Sequence, residues 1–242
     1  MRESATLHPP RPRSREDIER EQPEQLAVRA LFPEGVVALA SHEASWGGAL
    51  HAAEHELVRN AVEKRRREFT AGRVCARRAL SRLGVPEAPL LADADRVPRW
   101  PAGVVGSISH CRGRCAVAVA RSGAILGLGI DVEEAGAVDA RLFRRILTPG
   151  EERALEGLDA AAASRRATLV FSAKESAYKC YFPETRTPLG FHDAEVEIQP
   201  DAGSFAVRLL RDAAPALQGR RVLHGRFHVG EGYVLTGVAL TR

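Results

Sequence analysis

From residue 104 the chain alternates along its length. "VVGSISH", a turn at "CRGR", "CAVAVA", a turn at "RSGA" and "ILGLGIDVE" read as three consecutive antiparallel strands. Upstream, "GVVALA" is a short strand. From about 50 to 83, Leu57, Ala61, Phe69, Ala76, Leu80 and Leu83 recur close to helical spacing, and Gly84 then Pro86 end that helix. Downstream, "LTPGEERALEGL" opens with a capping box, Thr148 to Glu151, and has Pro149 at the first helical position, so a helix starts there. An Ala-rich link leads to "SRRATLVFSAKESAYKCYF". In this second helix Leu169, Ala173, Ser176 and Cys180 face the core, while Phe171, Glu175 and Lys179 line another side and Pro183 ends it. From about 194 the chain reads as strands separated by "DAGS" and "GEG" turns. Helices interleaved with antiparallel strand groups predict an α+β protein.

Composition narrows the setting. A chain of 242 residues, 45% hydrophobic and 27% charged, is enough for one large domain or two small intimate ones. No apolar run approaches the roughly 20 residues of a bilayer span. The N-terminus lacks the apolar centre of a signal peptide, so a cytoplasmic location is expected. Residues 1 to about 25 mix Pro, Arg and Glu with almost nothing apolar and read as a mobile tail. Four cysteines, Cys75, Cys111, Cys115 and Cys180, are too scattered for a disulfide framework and fit a reducing compartment. At "HCRGRC" the residues His110, Cys111 and Cys115 suggest metal ligation, but a tight turn accounts for the same residues and no second ligand pair is in sight. The net charge of +4 and pI near 9.1 favour an anionic partner without identifying it.

The candidate chemistry begins at "GIDVEE". On a strand, Asp131 and Glu133 share one face and Ile130 and Val132 the other. Taken alone, the two acids are also what a solvated strand end looks like, and Glu175 with Lys179 at i, i+4 is an ordinary helix ion pair. Packed together, helix over strand end, they bring three carboxylates and an ammonium to one place, and hard oxygens in that number suit Mg²⁺. "EKRRREFTAGRVCARRALSR" supplies cations for an anionic substrate. At about 100° per residue Arg66, Arg73 and Arg77 fall in one narrow sector, with Arg65 roughly 80° from Arg73. Phe69 is the single aromatic residue among these arginines, which argues against single-strand nucleic-acid binding, and there is no G-x-x-x-x-G-K-[ST] loop. Taken on their own, these residues fit a Mg²⁺-dependent phosphohydrolase of a nucleotide-like substrate or a non-catalytic basic module binding acidic proteins or nucleic acid.

The ordered blocks "VGSISHC", "GIDVE" and "FSAKESAYK" resemble the three signatures of the 4'-phosphopantetheinyl transferases, in particular the larger, monomeric Sfp/EntD-type enzymes. The resemblance runs over roughly residues 60 to 192. It implies two similar subdomains related by a pseudo-twofold axis, each with antiparallel strands and a long helix, and an active site in the cleft between them. Residues 26–125 would form the N-terminal subdomain that grips the coenzyme A nucleotide, and 126–242 the C-terminal one with the metal ligands and catalytic helix. The implied reaction moves the phosphopantetheine arm of coenzyme A to a serine of an apo acyl, polyketide or peptidyl carrier protein and releases adenosine 3',5'-bisphosphate. Asp131, Glu133 and Glu175 would hold Mg²⁺, or Mn²⁺ in its place. Glu175 would also take the serine proton, and Lys179 would steady the pyrophosphate or protonate the departing phosphate. Arg65, Arg73, Ser109, His110, Lys174 and Lys179 would bind coenzyme A. Neither nucleic acid nor membrane is expected as a partner. The sequence departs from the family pattern at Ala92, where related enzymes often carry a lysine; Arg96 or Arg99 is the expected substitute.

Overall fold

A computed structural model describes residues 23–211, 217 and 219–242. In chain order its first elements are α1 (Pro23–Ala30), β1 (Val36–His42), α2 (Ala52–His55), α3 (Glu63–Arg82), β2 (Val104–Cys111), β3 (Arg114–Arg121) and β4 (Ile125–Glu134). There follow α4 (Phe143–Ile146), α5 (Pro149–Arg153), α6 (Ala160–Thr185), β5 (Ala194–Gln199), β6 (Ser204–Leu209), β7 (Val222–Gly230) and β8 (Tyr233–Thr241). The strands make two antiparallel sheets, one ordered β1-β3-β2 and one ordered β4-β8-β7-β6-β5, which agrees with the α+β expectation. Among the described residues no helix is long and apolar enough to cross a membrane.

"CAVAVA" alternates large with small rather than apolar with polar. The reason is that β3 is buried on both faces. Val117 and Val119 pack on Ala76, Ala79 and Leu80 of α3, while Ala116, Ala118 and Ala120 meet Val28 of α1 and Leu128 and Ile130 of β4. The tight turn between β2 and β3 is met by Gly113 at φ +71°. The third of the expected consecutive strands behaves differently. β4 leaves the β2–β3 hairpin and becomes the edge of the five-stranded sheet, paired to β8 from Ile125↔Thr241 to Glu134↔Tyr233. β4 still lies along β2, because the Ser107 hydroxyl accepts a hydrogen bond from Ile130 N at 3.1 Å. The two sheets therefore meet edge to edge.

Four element boundaries differ from the sequence reading. The expected tail ends earlier, since residues 23–25 already belong to α1, while residues 1–22 lie outside the described residues. The helix over 50–83 is two helices, α2 and α3, parted by a 3₁₀ turn at Glu56–Val58. Glu54, fully buried, accepts from Arg77 Nη1 at 2.8 Å, Leu90 N at 2.8 Å and His51 N at 2.9 Å, and the chain turns to bring it inward. Leu57 and Ala61 keep helical spacing across the break, so periodicity could not reveal it. Finally, the Ala-rich link is the first turn of α6, capped by Asp159 Oδ1 accepting from Ala162 N at 2.7 Å; alanine is the best helix former. Pro183 sits inside α6, which runs on to Thr185, because a proline in the last turn removes only one helical hydrogen bond.

Two glycines place α6 over β4. A Cβ at Gly129 would stand 1.7 Å from Ser176 O, and one at Gly127 would stand 3.0 Å from Cys180 O. Positions 127, 129, 131 and 133 share a face, so the backbone of α6 rests on the strand where the glycines are and reaches the acids where they are not. Ile130 and Val132, on the opposite face, are buried in the core shared with α1 and the first sheet.

Candidate active site

Asp131 is the centre of a buried network. Its Oδ1 accepts from Ser109 Oγ at 2.8 Å and Lys179 Nζ at 2.6 Å, and its Oδ2 accepts from Ser172 Oγ at 2.8 Å. Thr236, its neighbour across the sheet on β8, donates to Ser172 O at 2.8 Å and fixes that turn of α6 to the strand. Lys179 Nζ also donates to Ser109 Oγ at 2.9 Å. β2, β4 and α6 are thereby joined at one point.

Glu133 and Glu175 feel the same charge. Burial, and then the Asp131 carboxylate, push the Glu133 carboxyl up to about 8, with Glu175 adding to the rise and Lys179 opposing it. Glu175 is likewise raised, by burial first and by Asp131, again against Lys179. A set of carboxylates that burdens its members in this way gathers either protons or a cation. Carboxylate oxygens are the hard donors that Mg²⁺ takes. Among the described residues no group of three or more His, Cys, Asp and Glu side chains is drawn together as a metal site, and the charge standing on Asp131 is the Lys179 ammonium. The hairpin cysteines offer no alternative centre. Cys115 is in the core, and burial together with Glu133 and Asp131 lifts the Cys111 thiol to about 12, so it stays protonated.

Beside this network opens a cleft of about 760 Å³, with Arg65, Arg73, His110, Lys179, Arg96 and Phe182 in its wall. Arg65 Nη1 lies 2.5 Å from His110 Nε2. A guanidinium only donates, so the imidazole accepts there and is neutral, its other nitrogen 3.6 Å from Glu68 Oε2. Burial, and then Arg65 and Lys179, draw the His110 pKa down to about 4. Arg73 is buried against the Phe69 ring, 4.3 Å from its centroid. Burial lowers its pKa to about 10, which leaves it charged at neutral pH, and its Nε has no partner. A buried charged donor without an acceptor is costly, and an anion in the cleft would supply one.

Not every expected residue is here. Lys174 faces away from the cleft: its ammonium donates to Ile146 O at 2.9 Å, Phe191 O at 2.8 Å and Glu151 Oε2 at 2.7 Å, which uses all three protons. The structure therefore does not bring Lys174 to the cleft with the other residues expected to bind coenzyme A. Glu151, which closes the capping box by accepting from Thr148 N at 2.7 Å, also accepts from Val196 N at 2.7 Å. The narrow sector of Arg66, Arg73 and Arg77 divides too. Arg66 holds Arg59 O at 2.7 Å and Ala61 O at 2.9 Å, and Arg77 neutralises Glu54. Of the two candidates to replace a lysine at Ala92, Arg96 lines the cleft and Arg99 does not. Ser172, Tyr178, Phe182 and Arg186 were not singled out from sequence. A polar residue inside the buried stripe of a helix, as Ser172 is, was the available signal.

Comparison with known proteins agrees with this geometry on both sides of the cleft. The description "4'-phosphopantetheinyl transferase N-terminal domain" matches residues 53–120, and "4'-phosphopantetheinyl transferase superfamily" matches residues 127–237. The 4'-phosphopantetheinyl transferase Svp of Streptomyces mobaraensis is 44% identical over 190 residues, 76% of this chain and 75% of the relative. The 4'-phosphopantetheinyl transferase PptT of Mycobacterium tuberculosis is 39% identical over 77% of this chain and 84% of its own. The transferase Npt of Nocardia iowensis is 34% identical over 88% and 99%. A solved holo-ACP-synthase from Plasmodium yoelii overlays 49% of this chain and 96% of its own at a TM-score of 0.40 and 18% identity, too slight a likeness to inform the fold. With both halves of the chain matched and relatives this similar over most of their length, the protein belongs to the 4'-phosphopantetheinyl transferase superfamily.

Proposed function

We propose that this protein transfers the 4'-phosphopantetheine arm of coenzyme A to a serine of an apo carrier protein and releases adenosine 3',5'-bisphosphate. The observation that carries the proposal is a basic cleft wall that borders a buried carboxylate network. Arg65 and Arg73, whose buried Nε has no acceptor, stand in the cleft wall, and Lys179 leads from there to Asp131, on the strand face that also carries Glu133 and beside Glu175. A substrate with a terminal phosphate and an internal pyrophosphate fits that order. In this reading Arg65, Arg73 and His110 hold the nucleotide and its 3'-phosphate. Neutral His110 contributes hydrogen bonding there rather than charge. Two subdomains related by a pseudo-twofold axis, divided near residue 125, belong to the same proposal, which is supported by one long helix on each sheet.

Asp131, Glu133 and Glu175 would hold Mg²⁺, which when bound neutralises charge on the pyrophosphate. The chain's own groups do the rest. The serine Oγ forms a bond to the β-phosphorus, the phosphoanhydride P–O bond breaks, and adenosine 3',5'-bisphosphate departs. Glu175, one turn from Lys179 on the same face of α6, takes the serine proton. Lys179 exchanges Asp131 for the pyrophosphate oxygens and steadies the leaving group. The setting that accompanies this reading is a cytoplasmic monomer.

The test is mass spectrometry of an apo carrier protein incubated with this protein, coenzyme A and Mg²⁺. A phosphopantetheine mass added to one serine, and lost with EDTA, is the expected result. Nucleotide product released with no carrier present would instead identify a phosphohydrolase, and no product at all a binding module.

A further inference from the structure

The turn at residues 92–98 is closed on itself. Ala92 and Pro98 form an isolated bridge, Asp93 N donates to Val97 O at 3.0 Å, and Arg96 N donates to Asp93 O at 3.0 Å. The Asp93 side chain has two jobs. Its Oδ1 accepts from Asp95 N at 3.0 Å and Val97 N at 2.9 Å, which shapes the turn. Its Oδ2 accepts from Arg186 Nη1 at 2.6 Å, and the same nitrogen reaches Asp95 Oδ2 at 3.3 Å. Arg186 is the C-cap of α6, and its guanidinium lies over Phe182, 5.8 Å from the ring centroid. The ion pair thus ties the turn before the first sheet's β2 to the end of the helix on the second sheet. Both partners border the cleft, through Asp93, Asp95 and Arg96 on one side and Tyr178, Lys179 and Phe182 on the other.

Among the described residues only two besides glycines have positive φ, Arg96 at +66° and Arg186 at +52°. Such conformations persist where their surroundings hold them, and here both belong to one clasp. Its effect is to present Arg96 to the cleft from the same turn as Ala92, which has no side chain long enough to reach a phosphate.

We infer that Arg186 is a positioning residue for coenzyme A: it clasps Asp93 and Asp95 from the end of α6 and so holds the 92–98 turn with Arg96 in the cleft wall. This rests on the cleft being the coenzyme A site. A phosphate contact from Arg96 predicts that Arg96→Ala raises the coenzyme A Kd about tenfold by calorimetry. Arg186→Ala should raise it about threefold to tenfold, with kcat at saturating coenzyme A and carrier unchanged. Asp93→Asn keeps the oxygen that shapes the turn and removes the charge that Arg186 clasps, so it should reproduce Arg186→Ala. In an Arg96→Ala background, Arg186→Ala should have no further effect. Arg186→Lys should recover part of the affinity. Additive losses in the double variant, or unaltered affinity in both Arg186→Ala and Asp93→Asn, would overturn the inference. Arg65→Ala and Arg73→Ala separate this from the larger reading. If neither changes coenzyme A affinity, the cleft is not the site. If they weaken binding while the clasp variants do not, only the clasp is wrong.

Discussion

Lys174 and Lys179 stand on one helix, a turn and a half apart, and have opposite fates. Lys174 and its partner Glu151 are each about 3% exposed, and the ammonium is saturated by one carboxylate and two carbonyls. Burial draws its pKa down and Glu151 opposes that fall. Lys179 is 27% exposed and shares the Asp131 oxygen with a hydroxyl, at the wall of a cleft. A saturated, dry ion pair cannot exchange partners without a large desolvation cost, whereas a half-exposed one can give up its carboxylate for a phosphate. The first kind of lysine fastens loops; the second is available for chemistry.

The largest expected effect lies on the Lys179 side of α6. Glu175→Gln keeps size and one coordinating oxygen but accepts no proton, so turnover should fall 10²- to 10⁴-fold while coenzyme A affinity stays within a few-fold. Turnover near that of the parent, with all substrates saturating, would leave Glu175 without its role as base.

On the Lys174 side the loss should appear in stability. Lys174→Met leaves Glu151 buried and unpaired, and urea denaturation should show about 3–5 kcal/mol of destabilisation. kcat per folded molecule should remain within about twofold of the parent. Lys179→Met should lose turnover, because Lys179 borders the cleft, and some stability as well, because it leaves the buried Asp131 without its counter-ion. A Lys174 variant of normal stability and lost turnover would erase the contrast.

His110 sharpens it through pH. Its folded pKa, about 4, lies below the ordinary 6.5, so the unfolded chain binds more protons between those values and stability rises with pH across that window. The contribution, at most about 3 kcal/mol, is fully present above pH 6.5 and is lost as pH falls through 4. His110→Gln should flatten that part of the pH–stability curve. Lys179→Met should narrow it, since the Lys179 charge is one cause of the depression, and Lys174→Met should leave it as it is. Smallest is Arg73→Ala, expected to raise the coenzyme A KM about tenfold and reduce its salt dependence without touching stability by more than the loss of stacking on Phe69.

The sequence carried the elements better than their joints. The capping box at Thr148, the alternation that buries Ile130 and Val132, and the turns after 194 all rest on local chemistry, and all are in the structure. What local chemistry could not decide was which sheet β4 would join, since an apolar strand edge pairs equally well with β2 or β8. The lysines of "FSAKESAYK" posed the same difficulty. Lys174 and Lys179 read alike until the partner elements are known, and Glu151, already explained by its cap, gave no hint of a second duty. For the arginines of α3 the helical wheel supplied directions but not neighbours. Arg77 was claimed by the buried Glu54, which the helical spacing over 50–83 did not single out.

At Gly129 a helix backbone lies directly on a strand backbone, with no side chain between them. Side-chain packing yields to temperature, pressure and mutation because rotamers rearrange; main chain on main chain does not. The height of Glu175 and Lys179 above Asp131 is therefore a gauge length, indifferent to how the hydrophobic interior is filled. Trimming an interior leucine on the far side of α6 would lower the melting temperature and leave the gauge alone, whereas one methyl group at position 129 would lift the whole helix off its seat.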